Sequence, residues 1–148
     1  MAKVKLTEHF TLAEMAKTRS QHANIPNVGQ IANLKRLCGW LEMLRAEWNK
    51  RYGEGDDPII INSAFRSAAV NKEVGGASNS NHLTGCAADI HVDGMEQMLR
   101  YATILLDISD EAQEPFDELL MERNGNRMWL HFAVRPEGNR RRLLKIEK

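Results

Sequence analysis

An apolar stripe in the first third of the chain restricts its fold more than any other feature. Large apolar side chains recur there every three or four residues: Ile31, Leu34, Leu37, Leu41, Leu44 and Trp48. This spacing places them on one face of an α-helix of about five turns. A helix with such a face needs a second layer of structure to cover it. The chain therefore has to build its core around one long amphipathic helix, in which we expect Cys38 to be a small buried hydrophobic residue.

The other segments show helix and strand signals in mixed order. Helices are predicted near Leu12, over residues 68–74 and after a cap at Asp93, and strands over residues 59–61, 87–92, 116–122 and 128–134. The last two strands are predicted to form a hairpin, because Asn124-Gly125 is a strong signal for a two-residue turn. Without regular βαβ alternation, the order favours an α+β fold: a small, mostly antiparallel sheet with helices packed on one side.

Length and composition fit one ordinary domain over residues 1–148, large enough to bury a core without disulfides or a structural metal. Twenty basic and twenty acidic residues leave no net charge, which argues against a general binder of nucleic acid or anionic membranes. The two cysteines, Cys38 and Cys86, are far apart and form no CxxC motif. Any metal ligands therefore have to come from histidines and carboxylates.

Targeting signals are not evident in the sequence. The first residues lack the apolar core of a secretory signal, and no later stretch approaches the ~18 apolar residues of a membrane span. We therefore expect a protein that is made in the cytoplasm without a signal peptide and is not inserted into a membrane.

Histidines and a carboxylate in the second half of the chain suggest a metal site. His82 ends a loop rich in Gly, Ser and Asn, Gly85 follows three residues later, and Asp89 lies on the strand after it. These side chains could surround one ion, with His131 as the natural third ligand because its strand can pair in the same sheet. Two histidines and one carboxylate leave a fourth position for water, which distinguishes catalytic from structural zinc.

A longer motif includes this site. Ser80, His82, Gly85, Ala87 and Asp89 form the string SxHxxGxAxD, preceded by Asn62-Ser63-Ala64-Phe65-Arg66-Ser67 and followed by Trp129-Leu130-His131. Together with residues 6–15 and 138–141, these segments resemble the zinc D-Ala-D-Ala carboxypeptidase family of murein peptidases, peptidase M15. The resemblance covers nearly the whole chain. It implies a hedgehog/DD-peptidase-like fold and a Zn²⁺ ion held by His82, Asp89 and His131.

The resemblance also implies a reaction, in which an activated water attacks a peptide carbonyl of bacterial peptidoglycan. Zinc lowers the pKa of bound water from ~15.7 towards ~7 and polarises the scissile carbonyl. Arg66 matches the arginine of the family's SxxRS motif, and its planar guanidinium suits a substrate carboxylate or the developing oxyanion; the alternative is a surface ion pair. Ser80 either supports the site by a hydrogen bond or simply ends the loop. We expect Ser80 and Trp129, like Arg66, to line the substrate site.

The general base is where this chain departs from several relatives of that family. Those relatives carry an acidic residue three positions before the last histidine, whereas this chain has Met128 there. A strand of the form FDxLxxE, matched by residues 116–122, makes Glu122 the base that the resemblance nominates.

Strand geometry favours a different glutamate. A turn at Asn124-Gly125 would place Glu118 directly opposite His131, with Cβ atoms ~5 Å apart, and Glu122 ~13 Å further along the strand. Both glutamates would share the face of His131 in this register. Both are therefore candidate catalytic residues, each with the alternative of a solvated strand residue.

Two rival interpretations of individual residues are weaker. Asp89, His91 and His131 could form another two-histidine, one-carboxylate set, as in non-haem iron oxygenases, but the local order DxH is the reverse of their usual HxD. The basic residues of the segment 140–145 could contact an anionic polymer, although a solvated basic tail is the simpler interpretation.

We therefore expect a monomeric zinc metallopeptidase of the D-Ala-D-Ala carboxypeptidase or endopeptidase type, acting on bacterial peptidoglycan without a nucleic-acid partner. The bond cleaved would lie in the stem or cross-link and involve a D-amino acid. A small catalytic domain of this kind resembles a phage or prophage endolysin, which reaches the cell wall after release. The alternative, suggested by Met128, is a non-catalytic zinc-containing wall-binding module of the same fold.

Overall fold

The computed structural model describes residues 4–148, which form helices and strands in mixed order. The helices are α1 (Leu12–Met15), α2 (Val28–Arg51), α3 (Ala68–Glu73) and α4 (Met95–Ala112), with a 3₁₀ helix at Asn81–Thr84. The strands are β1 (Ile61–Ser63), β2 (Ala87–His91), β3 (Glu118–Asn124), β4 (Arg127–Ala133) and β5 (Arg142–Glu147). Among the described residues, no helix combines the length and apolarity needed to cross a bilayer.

The predicted apolar stripe is the buried face of α2. Its leucines Leu34, Leu37, Leu41 and Leu44 are fully buried. The helix begins with a capping box, in which Asn27 Oδ1 accepts from the Gln30 backbone N–H and Gln30 Oε1 accepts from that of Asn27. Cys38 is buried in the same core, and burial raises the pKa of its thiol to about 12, which confirms its role as a small hydrophobic residue.

The five strands form one mixed sheet in the order β1-β2-β4-β3-β5. All neighbouring pairs are antiparallel except β3 and β5, which are parallel. The helices α2 and α4 pack on the sheet face that carries Leu119, Leu130 and Phe132. This arrangement confirms the predicted α+β class. It leaves the opposite face, which carries the alternate side chains of the same strands, for the candidate site.

The hairpin of β3 and β4 is present, but its turn differs from the predicted one. Asn124 is paired with Arg127, so Gly125 and Asn126 form the two-residue turn. Gly125 has a φ of +62°, whereas Asn126 is not among the residues with positive φ. Glycine at the first turn position is the preference of a type II′ turn, and this preference overrides the type I′ signal of Asn124-Gly125.

Two predicted element boundaries were also wrong. Gly94 is the N-cap of α4 and provides no side-chain cap; Asp93 instead donates its backbone N–H to Gln97 Oε1. In the apolar run 59–61, only Ile61 belongs to β1, although Ile59 is buried at 3% exposure.

The basic C-terminal segment is solvent-exposed, as expected, but residues 142–147 form an edge strand instead of a free tail. Its arginines form ion pairs with carboxylates of other elements: Arg140 with Asp117, Arg141 with Asp110, and Arg142 with Glu118. Parallel pairing with β3 and these ion pairs hold the segment against the sheet. The structure thus gives most of this positive charge an intramolecular partner.

Candidate active site

Three side chains that could hold a metal ion converge on the sheet face opposite the helices. They are His82 of the 3₁₀ helix, Asp89 of β2 and His131 of β4, and one ligand atom from each lies within 4.8 Å of the others. Asp89 and His131 are directly paired across β2 and β4. Residues separated by up to 49 positions in the sequence (82 to 131) therefore meet because β4 lies in the middle of the sheet.

The 3₁₀ helix explains the spacing of the predicted SxHxxG motif. Ser80 is its N-cap, and the Ser80 hydroxyl accepts from the His82 backbone N–H at 3.1 Å. The helix ends at Gly85, whose φ of +77° is left-handed. A Cβ at position 85 would also lie 2.6 Å from the carbonyl oxygen of Gln30 in α2. Glycine is thus required both to end the turn and to let it approach α2.

His82 presents one ring nitrogen to the cluster. Its Nδ1 lies 2.5 Å from the Ala64 carbonyl oxygen, which can only accept, so Nδ1 carries the proton and donates. Nε2 is buried without a hydrogen-bond partner among residues 4–148 and lies 3.3 Å from Asp89 Oδ1. Because Nδ1 donates to a carbonyl, Nε2 is the ring nitrogen that His82 can offer to a metal ion.

His131 lies between two carboxylates. Its Nδ1 is 3.1 Å from Asp89 Oδ1, and its Nε2 is 3.0 Å from Glu118 Oε1. Burial opposes the charged ring, but hydrogen bonds to Asp89 and Glu118 outweigh it and raise the pKa of His131 to about 9 in the metal-free protein. Burial likewise opposes ionisation of Asp89, yet the neighbouring His82 and His131 hold its pKa well below the ordinary value.

This donor set fits zinc. Two imidazole nitrogens and a carboxylate oxygen are ligands that Zn²⁺ prefers, and three protein ligands leave room for water or substrate. The unpartnered Nε2 of His82 is the specific sign of fit, because a buried polar atom without a partner is otherwise costly. His82 Nε2, Asp89 and His131 Nδ1 are therefore the atoms that would hold the ion.

The two candidate glutamates contact opposite sides of His131. The predicted register that placed Glu118 opposite His131 is wrong: Leu120 is paired with His131, and the glutamates flank it on β3. Glu118 reaches Nε2, the ring nitrogen directed away from Asp89. Glu122 Oε2 lies 3.8 Å from Nδ1, on the side where the ion would bind. The shift of two residues preserves the predicted face and places each glutamate two positions from the residue opposite His131.

The environments of these glutamates differ as well. A hydrogen bond from His131 lowers the pKa of Glu118, which also accepts from Asn81 Nδ2 at 2.7 Å. Burial raises the pKa of Glu122, and its Oε2 accepts from Trp129 Nε1 at 3.2 Å. A carboxylate with a raised pKa beside the open side of a metal site is suited to take and return a proton. Glu118, in contrast, is suited to hold His131 in place.

Asp117 anchors the network behind Glu118. It is fully buried, and its Oδ2 accepts from Asn81 Nδ2 at 2.7 Å and from Arg140 Nη2 at 2.8 Å. Its Oδ1 accepts from the Nε and backbone N–H of Arg140, both at 3.0 Å. Arg135 lies 3.2 Å away from Oδ2. Asn81 therefore links this buried carboxylate to Glu118 and, through it, to His131.

Arg66 borders the cluster on the other side. Its Nη2 is 3.8 Å from Asp89 Oδ2, and its Nε is buried without a hydrogen-bond partner among the described residues. Burial lowers the pKa of the guanidinium, opposed by the charges of Asp89 and Glu122. A largely buried guanidinium with an unused donor is suited to receive an anionic group.

Asn71 and Gly76 hold Arg66 in this position. Asn71 is buried, its Oδ1 accepts from Arg66 Nη1 at 3.3 Å, and its Nδ2 donates to the Ala77 carbonyl at 2.9 Å. A Cβ at position 76 would lie 2.0 Å from Asn71 Oδ1 and 3.1 Å from Arg66 Nη1. Glycine at this position therefore makes room for the pair.

All of the predicted site residues line one cleft with a volume of about 610 Å³: Arg66, Ser80, His82, Asp89, Glu118, Glu122, Trp129 and His131.

Two other residues that the sequence analysis singled out, His91 and Met128, lie outside this cleft. His91 contacts Asp93 at 3.0 Å and is not part of the metal-capable group found among residues 4–148. Met128 packs against the core on the helix-covered side of the sheet. The side chain at position 128 points to the helix-covered face of the sheet. The presence of methionine there, where several relatives carry an acidic residue, therefore removes no carboxylate from this cleft.

Sequence reasoning missed the supporting residues. Asn71, Gly76, Asn81 and Asp117 received no role, although Asn81 adjoins His82 and Asp117 belongs to the FDxLxxE segment. The sequence feature that could have pointed to them is a polar residue or glycine within or near a motif, for which the motif itself gives no role. Only the tertiary contacts show what these residues hold.

Comparisons with known proteins identify the family of this chain. A family model described as Peptidase M15 matches residues 8–113, well over half of the chain. The zinc D-Ala-D-Ala carboxypeptidase of Streptomyces albus G is 35% identical over 82 residues, which are 55% of this chain and 31% of that protein. This chain therefore matches less than a third of that relative's length. The match to the family model, together with the cleft described above, shows that the chain belongs to the Peptidase M15 family.

Proposed function

We propose that this protein is a zinc-dependent peptidase that cleaves a peptide bond of bacterial peptidoglycan. The observation that carries the proposal is the convergence of His82 Nε2, Asp89 and His131 Nδ1 in one cleft, with Glu122 and Arg66 beside them. Family membership and the similarity to a zinc D-Ala-D-Ala carboxypeptidase support the same class of reaction.

Each residue of the cleft then has a task. Zinc, when bound, acidifies a water molecule and polarises the scissile carbonyl. Glu122 accepts the proton of the attacking water and returns it to the leaving amine, a role for which burial, by raising the pKa of this carboxylate, suits it. Arg66 binds an anionic group of the substrate or the charge that develops on the carbonyl oxygen. Glu118 accepts from His131 Nε2 and so keeps Nδ1 directed at the ion.

The finer assignment follows from the same resemblance. We infer that the bond lies in the stem or cross-link of murein and involves a D-amino acid, as in a D-Ala-D-Ala carboxypeptidase or endopeptidase. We also infer that a monomer acts on the cell wall after release from the cytoplasm, as a phage or prophage endolysin does.

Removal of the metal is expected to abolish hydrolysis. Dialysis against a chelator should stop the release of new amino termini from purified murein, and equimolar Zn²⁺ should restore it, because no other group in the proposed scheme acidifies water. His82→Ala should remain inactive after zinc is added. His91→Ala serves as the matched control, since His91 contacts Asp93 outside the cluster, and it should keep wild-type activity.

The same assay distinguishes the proposed peptidase from the alternative, a non-catalytic wall-binding module. A wall-binding module would bind zinc stoichiometrically and sediment with murein, yet it would release no amino termini. That result from zinc-loaded wild-type protein would overturn the proposed activity while leaving the metal site in place.

Replacing Gly76 with alanine is expected to lower kcat/KM about 10- to 100-fold, because a displacement of ~1 Å in a positioning group costs that much. The new Cβ would displace Asn71 and, with it, Arg66. Zinc content should stay near the wild-type value, whereas the melting temperature should fall because the buried Asn71 has to shift. Gly39→Ala is the control, since a Cβ there meets no atom within 4 Å. An unchanged kcat/KM in Gly76→Ala would show that the position of Arg66 does not limit the reaction.

A further inference from the structure

The cleft continues along β4 beyond the metal-capable cluster. Arg127, Trp129 and His131 are alternate residues of this strand and all line the cleft. Arg127 is paired with Asn124 of β3, and Lys148, which follows β5, lines the same end. This end of the cleft thus carries two cations and lies at the opposite edge from Glu118.

The positive charges of the cleft fall into two groups. Arg140 and Arg142 form ion pairs with Asp117 and Glu118, and Arg66 lies 3.8 Å from Asp89. Arg127 and Lys148, in contrast, have no acidic partner within 4.0 Å among the described residues. Arg127 and Lys148 therefore form a second cationic group in the cleft, separate from Arg66 and without a direct ion pair among the described residues. Concave sites with unpaired charge of one sign concentrate ligands of the opposite sign.

We propose that Arg127, with Lys148 at the same end of the cleft, forms a subsite for a carboxylate carried beside the main chain of the substrate. This inference rests on the proposed function and specifies its substrate as an acidic peptide. A planar guanidinium binds a carboxylate through two parallel hydrogen bonds, which gives both affinity and orientation. Trp129, between Arg127 and His131 on the strand, provides an apolar wall along which the peptide would lie.

Strand geometry sets the distance between this subsite and the scissile bond. Arg127 and His131 are four residues apart on β4, a separation of ~13 Å at about 3.3 Å per residue. An extended peptide advances by a similar amount per residue. The recognised carboxylate therefore lies within about four residues of the bond that is cleaved.

Two synthetic stem peptides test the subsite. Both have the sequence L-Ala-γ-D-Glu-L-Lys-D-Ala-D-Ala; in one the α-carboxylate of the glutamate is free, and in the other it is an amide. Wild-type protein should cleave the acid with a kcat/KM about 10-fold or more above that of the amide. Arg127→Met should cleave the two peptides equally well. Arg123→Met is the matched control, because Arg123 lies in the same hairpin but outside this cleft, and it should keep the preference.

A binding measurement distinguishes two negative outcomes: a wrong assignment of the subsite and a wrong assignment of the peptidase activity. In the Glu122→Gln background, calorimetry should show the acid binding about 10-fold more tightly than the amide, and Arg127→Met should remove the difference. Absence of cleavage with this preference intact would contradict the peptidase and keep the subsite. Cleavage or binding without a preference for the acid, or a preference that survives Arg127→Met, would overturn the subsite.

Discussion

Glu122→Gln is expected to lower kcat about 10²- to 10⁴-fold, the usual contribution of a general base. The amide cannot accept a proton, yet it keeps the size of the side chain and an oxygen that can accept from Trp129 Nε1. Zinc stoichiometry should stay at the wild-type value, because Glu122 is not among the metal-capable ligands. Turnover of the stem peptides and zinc content of the purified variant are the two measurements.

Glu118→Gln is the matched control for this experiment. It removes the same charge from the same strand, but on the Nε2 side of His131. We expect zinc affinity to fall about 10- to 100-fold, as for other residues that orient metal ligands, and saturating zinc to restore much of the turnover. If Glu118→Gln abolished turnover at full zinc occupancy while Glu122→Gln remained active, the roles assigned to the two glutamates would be reversed.

Asp117→Ala is expected to lower the free energy of unfolding by about 3 kcal/mol, because it breaks a buried ionic network from its centre. Asp117 has no exposed surface and accepts from Asn81 and Arg140. Its loss leaves the buried Asn81 short of an acceptor. Asp110→Ala is the control: Asp110 pairs with Arg141 at the surface, where such pairs contribute about 0–1 kcal/mol. Equal effects in urea denaturation would contradict the central role of Asp117.

The same network predicts the acid stability of the protein. Burial opposes the ionisation of Asp117, but hydrogen bonds from Arg140 and Asn81 outweigh it and lower its pKa from 3.8 to about 2. Because the folded state holds the lower pKa, the contribution is complete above about pH 4 and is lost as the pH falls towards 2. The difference in unfolding free energy between wild type and Asp117→Ala should therefore shrink between pH 7 and pH 3.

Much of the fold followed from local patterns in the sequence. The α2 stripe and the β2 strand have the periods of a helix and a strand, so they could be predicted without tertiary information. The β3–β4 turn could not, because Gly125 satisfies two turn types and only the pairing of whole strands decides between them. In the segment 142–147 the apolar residues Leu143, Leu144 and Ile146 do not alternate regularly with polar ones, so no strand was predicted there. The strand forms because β3 offers an edge and Glu118 an ionic partner.

The candidate site also contains residues that could be predicted from the sequence and residues that could not. His82, Asp89 and His131 were identified because their residue types bind zinc and their spacing resembles the motif of a zinc peptidase family. The choice between Glu118 and Glu122 depended on which ring nitrogen each approaches, a matter of side-chain direction that strand register alone does not determine. Asp117 was hidden for a related reason, since its partners come from segments distant in the sequence.

One face of the sheet forms the floor of the cleft, and the loop around residues 74–81 borders it. The sheet face determines which lining positions can change without disturbing the core. Along β3 and β4, every second side chain faces the cleft and its neighbours face the helices. Positions such as 120, 124 and 127 can therefore be exchanged to suit a different ligand without disturbing Leu119 or Phe132 in the core. Along these strands, residues that line the cleft alternate with residues that form the core. Directed evolution can therefore vary the cleft-lining positions while the core positions are held fixed.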